Sequence, residues 1–94
     1  MSLGLLTIHL LIPGCTSLKE KRSRLKPLLA RLHREFNVSV AEINHLDRWQ
    51  ETLVACALVS NDNAHTQRAL QQIVKWIENN WPDMQVIEDK LEMS

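Results

Sequence analysis

Hydrophobic and polar residues alternate along some stretches of the chain and recur at helical spacing along others. Four stretches rich in aliphatic or β-branched residues predict strands: Leu3–Ile12, Val38–Ile43, Glu51–Ser60 and Met84–Met93. One face of the first strand is wholly apolar, whereas the other mixes Thr7 and His9 with leucines. The apolar segment 53–59 of the third strand is typical of a central strand that is covered on both faces.

Two stretches between these strands have the period of an amphipathic helix. The first begins at Ser17, and Glu20 three residues later completes a capping-box pattern. Its apolar stripe consists of Leu18, Leu25, Leu28, Leu29, Leu32 and Phe36. Pro27 predicts a kink rather than an end, because the periodicity continues beyond it. The second helix follows the capping residues Asn61–Asn63 and ends before Pro82.

The resulting element order is β-α-β-β-α-β. This order predicts an α+β ferredoxin-like sandwich, with a four-stranded antiparallel sheet and both helices on one face. The chain of 94 residues is expected to form one domain, and residues 44–49 a hairpin turn between the middle strands. The other sheet face would be open and partly apolar, through residues such as Leu5 and Leu11. Such a face usually meets a partner, which predicts a homodimer.

The composition is that of an ordinary globular protein, with 45% hydrophobic and 23% charged residues. The longest apolar run is too short and too polar to cross a membrane, and it lacks the features of a signal peptide. We therefore expect a cytoplasmic protein. Cys15 and Cys56 have no CxxC spacing, so that we expect two reduced thiols and no disulfide.

The charges are distributed unevenly on a chain whose net charge is zero. The segment from Ser17 to Arg34 contains seven basic residues and one acidic residue, which gives it a local charge of +6. The positive end of the helix dipole, after a glycine-containing turn, adds to this potential. The candidate anion-binding or RNA-binding residues are Ser17, Lys19, Lys21, Arg22, Lys26 and Arg31. The alternative is that Ser17 and Glu20 only cap the helix and that its lysines form a solvated face.

The spacing of these cations predicts how RNA would be bound. Lys19, Arg22 and Lys26 form one row at i, i+3 and i+7, and Arg24 and Arg31 form a second row. Both rows are placed to reach phosphates. The first and third strands lack the paired aromatic residues on which RNA-recognition sheets stack bases. Binding is therefore expected to be sensitive to salt and led by the backbone or shape of the RNA.

Several segments resemble the YlxP-like family of bacterial proteins, a family of unknown function (domain-of-unknown-function family 503). They are the stretch from Ile12 to Arg22, which reads IPGCTSLKEKR, then Lys26-Pro27-Leu28, residues 36–42, Trp49-Gln50 and residues 59–62. The resemblance spans nearly the whole chain and implies a ferredoxin-like fold. Members of the YlxP-like family are often encoded beside genes for translation initiation and ribosome maturation, so that the resemblance implies a role near the ribosome. The family has no established catalytic residue to carry over.

Catalytic and metal-binding chemistry receive little support from the sequence. Cys15 lies beside a helix N-terminus, but a catalytic thiol needs a base, and His9 has no evident orienting carboxylate. His33, His45 and His65 show no paired metal-ligand spacing with His9 or with one another. We therefore expect no enzyme activity, no cofactor, no metal and no small-molecule ligand.

The predicted function is that of a binding protein whose basic first helix contacts RNA or a ribosomal particle. The alternative is a protein-interaction or structural module that acts as a homodimer through its open sheet face. A small enzyme that uses Cys15 is a third hypothesis.

Overall fold

The structure, a computed structural model, describes residues 1–45 and 47–94. The predicted turn 44–49 contains Leu46 and so lies partly outside the described residues. The elements, in chain order, are β1 (Ser2–Leu11), α1 (Leu18–Phe36), β2 (Ser39–Asn44), β3 (Glu51–Ser60), α2 (Asn63–Asn80) and β4 (Gln85–Met93). This order confirms the predicted α+β ferredoxin-like arrangement, and each strand boundary lies within one residue of its predicted position.

The described strands form one antiparallel sheet in the order β2-β3-β1-β4. β1 pairs with β3 along its whole length, from Ser2 opposite Ser60 to Leu11 opposite Glu51. Its pairing with β4 is interrupted by an irregularity between His9 and Leu10. The β2–β3 pairing shifts between Glu42 and Asn44. The end of β1 and the start of β3 therefore lie side by side, and they carry several of the polar residues considered below.

One face of the sheet packs against both helices. Leu6, Ile8 and Leu10 of β1 are buried in the same core as two apolar rows of the helices. The helical residues are Leu25, Leu28 and Leu32 of α1 and Leu70, Ile73 and Ile77 of α2. A side chain at Gly4 would bring its Cβ within 2.5 Å of a methyl of Leu70, so that glycine permits the close approach of α2 to β1.

The second face of the sheet is open. Alternate residues of β3 are buried against the helices, whereas Leu53, Ala55 and Ala57 on the other side are only partly covered. The expectation that β3 is covered on both faces is therefore wrong for this chain. β3 is central because it pairs with β1 and β2, and that position buries its backbone, not both of its side-chain faces.

The N-terminal ends of both helices are capped at the predicted residues, but only the Ser17 half of the predicted capping box forms, because the Glu20 carboxylate accepts from the Thr16 hydroxyl at 3.2 Å instead. The Ser17 hydroxyl accepts a hydrogen bond from the Glu20 N–H at 3.0 Å, and the Asp62 carboxylate accepts one from the Ala64 N–H at 3.0 Å. α1 continues through Pro27, as its periodicity predicted. In the part of the chain that the structure describes, no helix is long and apolar enough to span a membrane.

Candidate functional site

The cations of α1 divide into two groups that point in different directions. Lys19, Arg22 and Lys26 are exposed on the flank next to β2 and solvent, and we call them the exposed row. None of them forms an ion pair with any described residue. The row keeps the predicted spacing along the helix, about 10 Å from its first to its last residue. Its positive charge is therefore available to a partner.

Lys21 belongs to the second group and lies in the interior. It is 1% exposed, and its ammonium donates to a Glu42 carboxylate oxygen at 2.7 Å and to the His45 carbonyl oxygen. The Thr52 hydroxyl donates to the same Glu42 oxygen. These contacts satisfy a charge that would be very costly to bury alone. Lys21, one of the predicted anion-binding residues, is therefore not on the surface; it joins α1 to β2 and to the segment after β2.

Arg24 and Arg31 both contact other parts of the protein. The Arg24 guanidinium donates to the carbonyl oxygens of Pro13 at 2.8 Å and Asp83 at 2.9 Å, which connects three separate segments. Arg31 lies 5.4 Å from the ring centroid of Trp76 and 3.3 Å from the Glu35 carboxylate. The predicted second row of RNA contacts is therefore largely engaged by the protein itself.

Ser17 and Cys15 both have structural partners at the N-terminus of α1. The Ser17 hydroxyl is occupied as the helix cap, and its carbonyl oxygen accepts a hydrogen bond from the Cys15 thiol at 3.3 Å. Cys15 is completely buried. A side chain with no solvent access is poorly placed for nucleophilic attack, and this position supports a role for Cys15 in packing the turn. Burial raises the pKa of the other thiol, Cys56, to about 12.

A shallow groove runs beside the exposed row, between α1 and the edge strand β2. Its volume is 260 Å³, and its lining combines the aliphatic side chains of Leu25 and Leu29 with Arg22, Lys26 and Glu42. Glu42 carries the charge that Lys21 neutralises from inside. The groove therefore presents apolar surface with a net cationic border.

The structure also assembles a cluster that sequence reasoning missed, formed by His9, His45 and Glu51. The His9 Nε2 lies 2.9 Å from a Glu51 carboxylate oxygen, and the His9 and His45 ring centroids are 5.4 Å apart. One potential metal-ligating atom from each residue falls within 4.8 Å of the other two. The expectation that His9 has no orienting carboxylate is therefore wrong. The antiparallel β1–β3 pairing supplies one from 42 positions along the chain.

Glu51 is held as an ionised carboxylate. Its second oxygen accepts a hydrogen bond from the Arg48 guanidinium at 2.9 Å, and its first faces His9. Hydrogen bonds from Arg48 and then His9 hold the pKa of Glu51 below its usual value. The cluster therefore contains a negative charge within 4.8 Å of a nitrogen of each imidazole.

His45 is positioned by its backbone. It is a non-glycine residue in the left-handed region, with a φ of 60°, and its N–H donates to the Asn44 side chain at 2.8 Å. Its carbonyl oxygen accepts the hydrogen bond from buried Lys21. Left-handed backbone at a residue other than glycine is uncommon and is often associated with functional sites. The buried ion pair thus sets the position of one member of the cluster.

The open sheet face is a third candidate surface. Several of its apolar side chains are substantially exposed, notably Leu3, Leu5 and Val59, the last at 60%. Leu3 pairs directly with Val59 across the two strands, and Leu5 lies opposite Ala57. The exposed apolar residues therefore form a continuous patch at the end of the sheet opposite the histidine cluster.

The fold and these surfaces define a small α+β domain, and comparison with known proteins assigns its family. Residues 3–90 match the family described as "Protein of unknown function (DUF503)", and the chain belongs to that family. It is 38% identical over 77 residues to the "Uncharacterized protein YlxP" of Bacillus subtilis (strain 168), which covers 82% of this chain and 84% of that one. The predicted family resemblance is thereby confirmed.

A solved structure supports the architecture independently. The "De novo designed protein Foldit4" matches with a TM-score of 0.54 over 100% of this chain and 97% of its own. Because the sequence identity is 16%, this similarity concerns the fold alone.

Proposed function

We propose that this protein is a non-enzymatic binding protein that contacts RNA, free or within a ribosomal particle, through the exposed row Lys19, Arg22 and Lys26. The observation that carries the proposal is the division of the α1 cations. On a chain of zero net charge, these three have no carboxylate partner among the described residues, and neither has the exposed Arg34 further along α1, whereas Lys21, Arg24 and Arg31 have one. The row therefore concentrates unneutralised positive potential on one flank.

The chemistry of the surface favours contacts to the phosphate backbone. Flexible lysines and an arginine along one helix flank can each neutralise a phosphate, and the release of bound counterions then drives association. The open sheet face does not suit base stacking, because β1 and β3 contain no phenylalanine, tyrosine or tryptophan. RNA selection would therefore depend on shape. The expected place near the ribosome comes from the family resemblance.

Charge reversal tests the proposal. A Lys19→Glu/Arg22→Glu/Lys26→Glu variant should lose RNA or ribosomal-subunit binding, measured by filter retention and by co-sedimentation in gradients. The matched control reverses three cations elsewhere with the same change in net charge: Arg68, Lys75 and Lys90. The control should keep most of the affinity, since these residues lie on α2 and β4.

Salt dependence supplies a second readout. The wild-type affinity should fall as salt rises, and three phosphate contacts on a single strand should contribute about 2 to the logarithmic slope. Equal losses in the variant and the control would show only a general charge effect and would contradict a site on α1. Absence of any binding by the wild-type protein at low salt would contradict RNA as the partner.

The absence of enzyme activity is part of the same proposal. The candidate nucleophile, Cys15, is buried and donates its thiol hydrogen to a backbone carbonyl, while the candidate base, His9, faces Glu51. Nucleophile and base are thus each engaged elsewhere. Replacement of Cys15 by serine should leave RNA binding unchanged.

A second candidate function, association with another copy of this chain through the open sheet face, has its own support. The patch of Leu3, Leu5 and Val59 leaves apolar surface that a second identical patch would cover. Sedimentation velocity should then give a dimer at micromolar concentration, and Leu5→Lys/Val59→Lys should give a monomer. Gln72→Lys, on the exposed side of α2, is the control. A monomeric wild-type mass would contradict this function.

A further inference from the structure

We propose that His9, His45 and Glu51 form a zinc-binding site, which goes beyond the proposed RNA contact and does not depend on it. Two imidazoles and one carboxylate are a donor set that zinc accepts in sites with three protein ligands and one open position. Imidazole nitrogens favour zinc and similar transition metals over magnesium or calcium, which prefer oxygen ligands. The chemistry of the three side chains therefore selects the metal.

The spacing of the donors fits a tetrahedral ion. Zinc lies about 2.0–2.2 Å from nitrogen and oxygen ligands, so that two donors on one ion are roughly 3.4 Å apart. His9 Nε2 and Glu51 Oε1 are 2.9 Å apart, and all three donor atoms lie within 4.8 Å of one another. Small side-chain rotations therefore bring the donors to coordination distance. A zinc ion would take the place of the hydrogen that His9 and Glu51 now share.

The arrangement of the two rings gives independent support. When two imidazoles bind one tetrahedral zinc through one nitrogen each, their ring centroids lie roughly 5 Å apart. The His9 and His45 centroids are 5.4 Å apart, and the rings are inclined by 43° rather than stacked face to face. The distance between the rings therefore matches that of two imidazoles on one ion, and their donor atoms separately lie within 4.8 Å of the Glu51 carboxylate oxygen.

The three donors are held by residues outside the site. Arg48 binds the Glu51 oxygen that does not face His9 and leaves the other oxygen free for the metal. Buried Lys21 binds the His45 carbonyl oxygen and so restrains the residue that comes from the β2–β3 connection. Such outer contacts orient metal ligands and strengthen binding. Both contacts exist before any ion arrives.

The surrounding electrostatics favour a cation. A cavity of 330 Å³ opens beside His9 and is lined by the carboxylates Glu88, Asp89 and Glu92, with Lys90 as its single basic residue. Glu88 lies directly opposite His9 in the β1–β4 pairing. A divalent ion would therefore approach His9 through a region of negative potential.

Isothermal titration of the full chain with zinc chloride, after removal of metal by a chelator, tests the site. We expect one ion per chain with a Kd of about 10 µM or tighter. His9→Gln, His45→Gln and Glu51→Gln should each weaken binding at least about tenfold, a loss of roughly 1.4 kcal/mol. His65→Gln is the matched control, because His65 is an exposed histidine on α2. Circular dichroism of each variant establishes that it folds.

Two outcomes would overturn the proposal. One is the absence of zinc binding by the wild-type chain, which cannot be attributed to a misfolded variant. The other is binding that all three substitutions leave intact or that His65→Gln weakens equally. Cobalt substitution adds a spectroscopic readout: the intense visible absorption of tetrahedral Co²⁺ should appear in the wild type and disappear in His9→Gln. RNA binding by the His9→Gln variant should be unchanged, which separates this result from the test of α1.

Discussion

The two groups of cations on α1 differ in what they do, although the sequence presents them as one basic segment. Lys19, Arg22 and Lys26 extend from the exposed flank without a described ion-pair partner, whereas Lys21 is buried against Glu42 and Arg31 lies over Trp76. A difference of two positions along a helix turns a side chain by more than half a revolution. One of two neighbouring cations can therefore be exposed while the other is buried in an ion pair. A count of charges along the sequence does not distinguish the two.

The largest expected effect concerns stability on the buried side. Lys21→Met leaves the Glu42 carboxylate, whose side chain is 17% exposed, without its cation. Loss of one member of a buried pair costs about 3–5 kcal/mol, so that urea denaturation should show a loss of that order. Lys19→Met on the exposed flank should change the free energy of unfolding by less than about 0.5 kcal/mol. Equal effects would remove the distinction between the two groups.

A double substitution sharpens the same comparison. In Lys21→Met/Glu42→Met neither charge is buried alone, so the double variant should be more stable than Lys21→Met by about 1–3 kcal/mol. The free energies of unfolding of the wild type, Lys21→Met, Glu42→Met and the double variant give the coupling energy between the two side chains. Additive losses would mean that Lys21 acts through its contact with the His45 carbonyl and not through Glu42.

A smaller effect is expected at the α1–α2 junction. Arg31→Ala removes the contact with Trp76 and a partly exposed pair with Glu35, and it should cost about 1 kcal/mol. Arg34→Ala, one turn further along and exposed, is the control and should have almost no effect. Thermal melting of both variants makes the comparison, and a larger loss in Arg34→Ala would contradict the assignment of partners.

The smallest effect is a dependence on pH at Glu51. Because the pKa of this carboxyl is lowered in the folded state from its ordinary value of 4.5, its pairing stabilises the fold above that pH. The contribution is lost as the pH falls through the lowered pKa. The stability difference between wild type and Glu51→Gln should therefore be present near neutral pH and shrink in acid. A difference that grows in acid would mean that the carboxyl is not held in its charged form.

The separation of buried from exposed cations on α1 can be predicted in part from the sequence. Lys21 stands four residues before Leu25 and seven before Leu28, so helical spacing alone places it on the apolar stripe. The sequence does not predict that Glu42 is the partner of Lys21, because this contact depends on how α1 packs on β2. Similarly, His9 was visible as a polar residue on a largely apolar strand. Glu51 and His45 became its neighbours only through the β1–β3 pairing and the segment after β2.

The order of the elements, their ends and the helix caps were all readable from the printed residues, because they depend on periodicity and on bonds between positions a few residues apart. The family could also be recognised from the printed residues, through short segments such as residues 12–22. The partners of the charged and titratable side chains were decided by the folded chain. A salt bridge or a ligand cluster requires side chains to meet within a few ångströms, and positions 9, 45 and 51, or 21 and 42, come that close only when the sheet and α1 have packed.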